Sequence, residues 1–541
     1  METSSAFFSS TFGTSLLPWA LFTLAAIAVS RFVVFPLVGS PLNQIPNAHW
    51  SAPFSSLWIL SVRYKDAETE TLAEAHKKFG PVVRLGPNDV SIDSIDYVKT
   101  VYSGPFNRTK WYGIFDNYGV PCMFSVIPVK EHSMRKRMVS HVYSKSFLQA
   151  SPAAAGQARA ILLDRLLPIL AEPAKAGQEH KGVEMFQLFQ ATSMDFITSY
   201  IYGLRGGTDF LRNPAAHGHW IQTYLTRFSA FFFQQELPEL SRVVAKCGIF
   251  PLLRSAVRAT NELADWNQTL FETTAARLDS PSVDGEADQP SPEDEPTVVK
   301  SFLSAVEREN TAHGAESVLY NTVLQNPRLS AQSEMYDHII AGQETTASTL
   351  AYLAWQLSVH QDVQDSLRTE LLQLKADEDS GSPFLPDART LDGLPVLHAV
   401  IMETLRLYAP FDGPLPRQTP ASGCQLGPYR LPGGVRIAAL AHTLHRESSV
   451  FPDPETWDYT RWTGADDKER NERNRQFWAF GSGGRMCIGS HFAMQEIKSI
   501  IAAIYSRFKT HVVDDSSMDP DDAEQVEPGA ERLYLRFEPL P

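Results

Sequence analysis

The chain has 541 residues, 43% of them hydrophobic and 20% charged, which excludes wholesale disorder and leaves room for a large core. Its net charge of −14 is concentrated in two stretches without a single base, seven acids in 279–295 and eight in 514–531; without those fifteen the remainder carries +1. A near-neutral body gives no reason to expect nucleic acid as a partner. Only four cysteines occur, Cys122, Cys247, Cys424 and Cys487, scattered and in no CxxC pair, which excludes a disulfide scaffold and a zinc cluster.

The chain opens with SLLPWALFTLAAIAVSRFVVFPLV (15–38), apolar but for Arg31 and a few hydroxyls. About 20 apolar residues suffice for a helix to cross a bilayer. No Lys or Arg precedes the run, unlike the basic start of a signal peptide. Arg31, Arg63 and Lys65 follow it, so the charge bias places the body on the cytoplasmic side. The first 38 residues therefore read as an uncleaved membrane anchor. SPLNQIPNAHWSAP, with prolines at 41, 46 and 53, reads as a stiff hinge over 39–56, because proline fixes φ and resists helix.

Residues 57–541 read as one mainly helical domain with a minor β component. RLGPNDVSIDS (84–94) alternates about a Gly-Pro turn and predicts a small hairpin. Helical spacing follows over 129–149, 153–175, 184–204, 216–236, 252–278, 331–361, 362–376 and 392–409, and β-rich pieces return at 424–440 and 532–538. The Pro- and Ser-rich acidic stretch 279–295 reads as a disordered insert.

Chemistry enters with FGSGGRMCIG (480–489). A structural cysteine needs no glycines around it. A metal-binding thiolate gains from them, since Gly483 and Gly489 let the backbone turn tightly beside a flat cofactor. Arg485 is placed to reach an anionic group on such a cofactor, and Phe480 to shield the sulfur. The stretch resembles, at each fixed position, the FxxGxRxCxG haem signature of the cytochrome P450 family, and SHFAMQE adds the alanine and glutamate expected later, Ala493 and Glu496. The resemblance implies a P450 fold with an N-terminal transmembrane helix. It also implies haem b (iron protoporphyrin IX) with an axial thiolate from Cys487, which pushes electron density toward the iron.

Two further motifs stand at the family's spacings. ETLR puts Glu403 and Arg406 on one helix face eighty-four residues before the cysteine, and with Arg461 of DYTRW it resembles the structural ExxR-Arg triad. AGQETT interrupts an apolar helix with polar residues and resembles the oxygen-activation motif, which implies Thr345 as hydrogen-bond partner of dioxygen and Glu344 as proton relay. Glu344 stands where the family more often has Asp. Arg417 of PLPRQTP is implied as a haem-propionate partner. In EHSMRKRMVSHVYSKSF the family's WxxxR is replaced by His132 and Lys136, so His132 with Lys136 or Arg135 is expected at the propionates.

The resemblance covers residues 40–541 and is nearest to microsomal P450s of fungal secondary-metabolite pathways. It implies a monooxygenase on the endoplasmic reticulum membrane, single-pass and facing the cytoplasm, acting on a lipophilic small molecule with electrons from NADPH–cytochrome P450 reductase. Arg135, Arg137, Arg473, Arg475 and Lys498 are expected as the reductase-docking face. Segments 111–124, 227–233, Ile340, Ala341 and 411–415 are expected as apolar pocket walls. Two rival readings are a haem-thiolate enzyme that rearranges, couples or dehydrates without oxygen insertion, and a non-catalytic haem sensor or carrier. The Glu344–Thr345 pair argues against both.

Overall fold

The computed structural model describes residues 12–176, 181–247, 250–279, 291–376, 385–464, 466–518 and 532–540. They fall into two compact units, one of residues up to 101 with 414–440, the other of 102–413 with 441 onward.

The smaller unit begins with a helix, Phe12–Val29, continued as a wider helical stretch over Ser30–Gly39. From Pro18 to Gly39 it is long and apolar enough, by length and composition, to cross a membrane. Trp19, Phe22, Leu24 and Ile27 along it are all exposed, as a helix without protein neighbours requires. The hairpin predicted near 84–94 forms from Val82–Gly86 and Asp89–Ile92, antiparallel. Arg436–Ala438 pairs in parallel with its second strand, and Arg417–Gln418 runs antiparallel to Arg436–Ala438. Ile59, Leu72, Ala75, Val83, Leu85 and Leu440 make the core between this sheet and the helices Leu57–Tyr64 and Glu68–Phe79.

The proline-rich stretch is bonded to the same sheet. Buried Arg84 donates to Asn43 (3.1 Å), its N–H to the Pro46 carbonyl (2.8 Å), and its carbonyl accepts from Ala48 (2.9 Å). Arg63, counted above toward the flanking positive charge, is drawn inward instead. Its guanidinium donates to Glu68 and Asp89, each at 2.9 Å.

The larger unit is built around a helix of 33 residues, Pro327–Val359. Proline at its first position lacks an N–H that would be unpaired there. Almost every turn is buried, including Leu350, Leu353 and Leu357. Met185–Tyr202 lies against it, and Gly342 permits that approach, since a Cβ there would meet Ile197 at 2.7 Å. The helices Pro395–Leu407 and Ser490–Tyr505 complete the core through Leu397, Val400, Ile500 and Ile501. A three-stranded antiparallel sheet orders Val183–Glu184, Tyr534–Pro539 and Phe508–Asp514.

Most of the acidic stretch 279–295 lies outside the described residues, and its last part is built into the fold. Asp294 pairs with Arg205 (2.6 Å), and the Glu293 carbonyl accepts from Gln157 and Leu204, each at 2.9 Å. The mainly helical class with small sheets stands as expected.

Candidate active site

Residues 478–489 form a loop delivering the chain to the helix Ser490–Tyr505. Gly481 and Gly483 both take positive φ, and a Cβ on Gly483 would stand 2.3 Å from the Tyr102 carbonyl oxygen. Only glycine fits that turn. The Cys487 N–H then donates to the Phe480 carbonyl (2.9 Å), closing the loop, while Gly489 caps the helix. Cys487 therefore sits at a helix N-terminus, where N–H groups favour negative charge. Burial pushes its thiol up from the ordinary value, and the N–H groups of Gly489 and Ser490 together with Lys136 oppose that rise.

The Cys487 side chain is exposed although the protein around it raises its thiol pKa. The same signature appears on the long helix. Between buried turns, Ala341 and Glu344 are exposed and Thr345 is half-exposed. A Cβ on Gly489 would touch only the Cys487 sulfur, at 3.9 Å, leaving that side of the loop open. One thiol at a helix N-terminus with open backbone beside it fits a cysteine-ligated planar cofactor; a bound metal would deprotonate the thiol outright.

Around the loop, Arg485 bonds backbone carbonyls. Its guanidinium donates to the carbonyls of Val126 (2.8 Å) and Ile127 (2.7 Å), tying the loop to the segment before the helix Val129–Val139. Lys136 on that helix donates to the carbonyls of Gly484 (3.2 Å) and Met486 (2.7 Å). His132, one turn earlier, is buried. Arg135 points to the other side of the helix, fully buried, and bonds Glu334 (3.4 Å), Glu131 (3.4 Å) and the Thr322 carbonyl (3.0 Å). Arg417 belongs to the smaller unit, buried in its sheet.

The proposed docking face needs correction. Arg135 is 0% and Lys498 2% exposed, held by Glu334 and by Asp392 (2.8 Å) respectively, so neither can meet a partner protein. Arg473 is largely buried against Glu469 and the Arg461 carbonyl; Arg137 and Arg475 are exposed.

Behind the loop, Glu403 is fully buried and accepts five hydrogen bonds: from Arg406 Nε (2.9 Å) and Nη2 (2.8 Å), Arg461 Nε (3.2 Å), the Asp458 N–H (2.9 Å) and Trp462 Nε1 (2.9 Å). His445 links this cluster to the cysteine loop. Its Nδ1–H donates to the Arg406 carbonyl (2.8 Å), and its Nε2 accepts the N–H of Trp478 (2.7 Å), the first residue of the loop. Burial pushes the His445 imidazole down to about 3. The sequence reading missed His445, because nothing local marks a histidine whose partners lie 39 and 33 residues away.

On the long helix, Thr345 donates to the Ala341 carbonyl of its own helix (2.7 Å). Glu344 accepts from the hydroxyl of Tyr224, on the helix Pro214–Phe228. Burial first, and Glu344 second, push the Tyr224 pKa well above the ordinary phenol value, so the tyrosine stays a donor. Tyr224 was also unforeseen: it lies 120 residues from its partner. Glu496 is buried on the helix that follows the cysteine, with the Ser193 hydroxyl beside it, and burial raises its pKa well above the carboxylate range.

A cysteine at a helix N-terminus, on a loop that glycines keep open beside it, is the setting of a cysteine-ligated haem oxidoreductase. The family model for cytochrome P450 matches residues 51–532, and the chain belongs to that family. It is similar to a cytochrome P450 monooxygenase of Aspergillus hancockii, 26% identical over 90% of this chain and 89% of the relative. It is also similar to the tryprostatin B 6-hydroxylase of Aspergillus fumigatus, 27% identical over 86% of this chain and 75% of that enzyme. A P450 monooxygenase of Gibberella zeae is 25% identical over 97% of both chains. The protein is thus an oxidoreductase of the P450 monooxygenase family with relatives in fungal secondary metabolism, and the family implies haem held by a cysteine thiolate.

Proposed function

We propose that this chain is a membrane-anchored monooxygenase of fungal secondary metabolism. It places one atom of O2 in a lipophilic small molecule and releases the other as water, using two protons and two electrons from NADPH through NADPH–cytochrome P450 reductase. The endoplasmic reticulum membrane is its site, with residues 1–38 as anchor, 39–56 as connector, and the catalytic body, 57–541, facing the cytoplasm. The observation that carries this reading is Cys487 at a helix N-terminus, exposed on a loop that Arg485 and Lys136 brace.

Cys487 is the thiolate that would bind the iron of haem b. Phe480, Gly483 and Gly489 shape its loop, and His132, Lys136, Arg417 and Arg485 are the basic groups proposed for the haem's carboxylates, Lys136 and Arg485 by turning from the carbonyls they now hold. The bound haem supplies the binding and activation of dioxygen. The chain's own contribution is geometric and acid–base. Glu403, Arg406 and Arg461 hold the rear of the site rigid, and His445 carries that rigidity to Trp478. Tyr224 orients the Glu344 carboxylate, which moves protons toward the Thr345 hydroxyl. The apolar walls exclude water and so limit proton leakage.

The test is the carbon monoxide difference spectrum of the reduced protein beside Cys487→Ser. A strongly red-shifted Soret band only in the native chain supports the reading; its absence from the native chain refutes it. Incorporation of labelled O2 into product then separates oxygen insertion from rearrangement, coupling or dehydration.

A further inference from the structure

Arg227 occupies the last turn of the helix Pro214–Phe228 and is 7% exposed. Its guanidinium donates to the Tyr336 hydroxyl (3.0 Å) and, at the limit of a hydrogen bond, to Asn117 Oδ1 (3.5 Å). It stands over the rings of Tyr336 (5.3 Å) and Phe228 (5.6 Å). Among the described residues no carboxylate lies in ion-pair range of it. Glu344 accepts from Tyr224, one turn before Arg227 on the same helix. A guanidinium has five donors in a fixed fork that matches a carboxylate, and here at most two are used, both on neutral oxygens. Burying a cation without a counter-charge is costly, and ring faces recover only part of that cost.

The residues around Arg227 come from three separate segments. Asn117 lies in the loop after Lys110–Phe115, Arg227 and Phe228 end their helix, and Tyr336 is on the long helix. Asn117 is oriented by its own donation to the Ser333 carbonyl (3.2 Å), which turns its oxygen toward the guanidinium. Aromatic rings surround the spot: Phe115 meets Phe124 (4.9 Å) and Phe231 (5.7 Å), and Phe231 meets Phe228 (4.8 Å). Asn117, Arg227 and Phe228 belong to segments expected as pocket walls, and Arg227, Asn117 and Tyr336 bring polar groups together among these rings. A few convergent polar groups in an apolar site fix the orientation of what binds.

We propose, building on the monooxygenase reading above, that Arg227 anchors the carboxylate of an amphipathic substrate, with Tyr336 and Asn117 holding the guanidinium in position. The substrate of this enzyme is then a lipophilic acid rather than a neutral scaffold. Tyr336 precedes Thr345 by nine residues on one helix, a separation of roughly 13 Å at the helical rise. The carbon that is oxidised lies about that far from the carboxylate.

The test uses the full-length, haem-loaded protein and a matched pair of probes of that reach, ω-phenylnonanoic acid and its primary amide, titrated by calorimetry. The acid is expected to bind at least tenfold more tightly than the amide. Arg227→Gln is expected to abolish that preference while leaving amide binding unchanged, and Arg227→Lys to retain part of it. Equal binding of acid and amide to the native protein overturns the proposal, as does a preference that survives Arg227→Gln or an acid that does not bind. Should Arg227→Gln fail to fold, the native acid–amide comparison and Arg227→Lys decide. The carbon monoxide spectrum of the same samples judges the haem-thiolate reading separately, because binding is read by heat and not by turnover.

Discussion

His445 couples the stability of the core behind the cysteine loop to pH. In the folded chain its Nδ1–H is given to Arg406 and its Nε2 lone pair is occupied by the Trp478 N–H, so a second ring proton has no acceptor. Burial, with Arg406 and Arg446 nearby, holds the imidazole at about 3 against an unfolded value near 6.5. The unfolded chain therefore takes up a proton below pH 6.5 that the folded chain refuses. A depressed folded value contributes stability above 6.5, and that contribution is lost as pH falls toward 3. Between pH 7 and pH 5 the loss from this one group is about 2 kcal/mol, at roughly 1.4 kcal/mol per unit over the 1.5 units below 6.5. His445→Gln can keep both hydrogen bonds and has no proton to gain. Urea unfolding at pH 7 and pH 5, followed by tryptophan fluorescence, measures both proteins. The native chain should lose about 2 kcal/mol more than His445→Gln across that interval. Equal losses would show that His445 titrates as freely folded as unfolded, and the bridge between Arg406 and Trp478 would then be wrong.

Glu403→Gln leaves the buried guanidiniums of Arg406 and Arg461 without their shared carboxylate and should destabilise the fold by about 3–5 kcal/mol; an unchanged urea midpoint would refute the triad's structural role. Gly483→Ala should prevent haem retention, read as a collapsed Soret-to-protein absorbance ratio, because its Cβ meets the Tyr102 carbonyl at 2.3 Å in a left-handed turn. Gly484→Ala, with nothing within 4 Å, should load haem normally, and equal loading of the two variants would contradict the loop geometry. Tyr224→Phe removes the hydroxyl that orients Glu344 and should cut product formation about tenfold, the rate equivalent of about 1.4 kcal/mol. NADPH should still be consumed, with the oxygen leaving as peroxide; an unchanged ratio of product to NADPH would exclude a positioning role for Tyr224.

The parts of the candidate site that were legible in the sequence are those whose chemistry is local. FGSGGRMCIG carries its own turn glycines and its cysteine within ten residues, and ETLR shares one helix face. AGQETT breaks an apolar helix with side chains that need a reason to be there. What escaped depends on contacts between distant segments. EHSMRKRM reads as a basic run for haem propionates and a docking partner, yet Glu334, 199 residues on, draws Arg135 fully inside. Lys498 likewise reads as surface charge until Asp392 holds it at 2.8 Å. SPLNQIPN reads as a connector because prolines resist regular structure, whereas its backbone is bonded by Arg84 of the first strand. A charge pattern shows which side chains need partners without showing where the partners are.

The same reasoning separates the two buried arginine classes of this chain. Arg406 is fully enclosed, and its charge is met by Glu403 while its remaining donors find the carbonyls of His445, Pro454 and Thr456. Arg135 is met by Glu334 and Glu131. Arg165 is met by Asp195 (3.0 Å). Each of these lies in a wall or joint of the fold, where a complete set of partners holds packed elements in register. Arg227 is buried to a similar degree, has two neutral oxygens for partners, and lies where the loop at Asn117, the end of the helix Pro214–Phe228 and the long helix meet. Arg84 shows that a buried guanidinium can be held by neutral oxygens alone, but there three of them, from Asn43, Gly86 and Pro87, share its donors at 3.1 Å each, whereas Arg227 has two and forms no ion pair with Asp116, beside Asn117 in sequence. The missing counter-charge is what the proposed substrate carboxylate would supply.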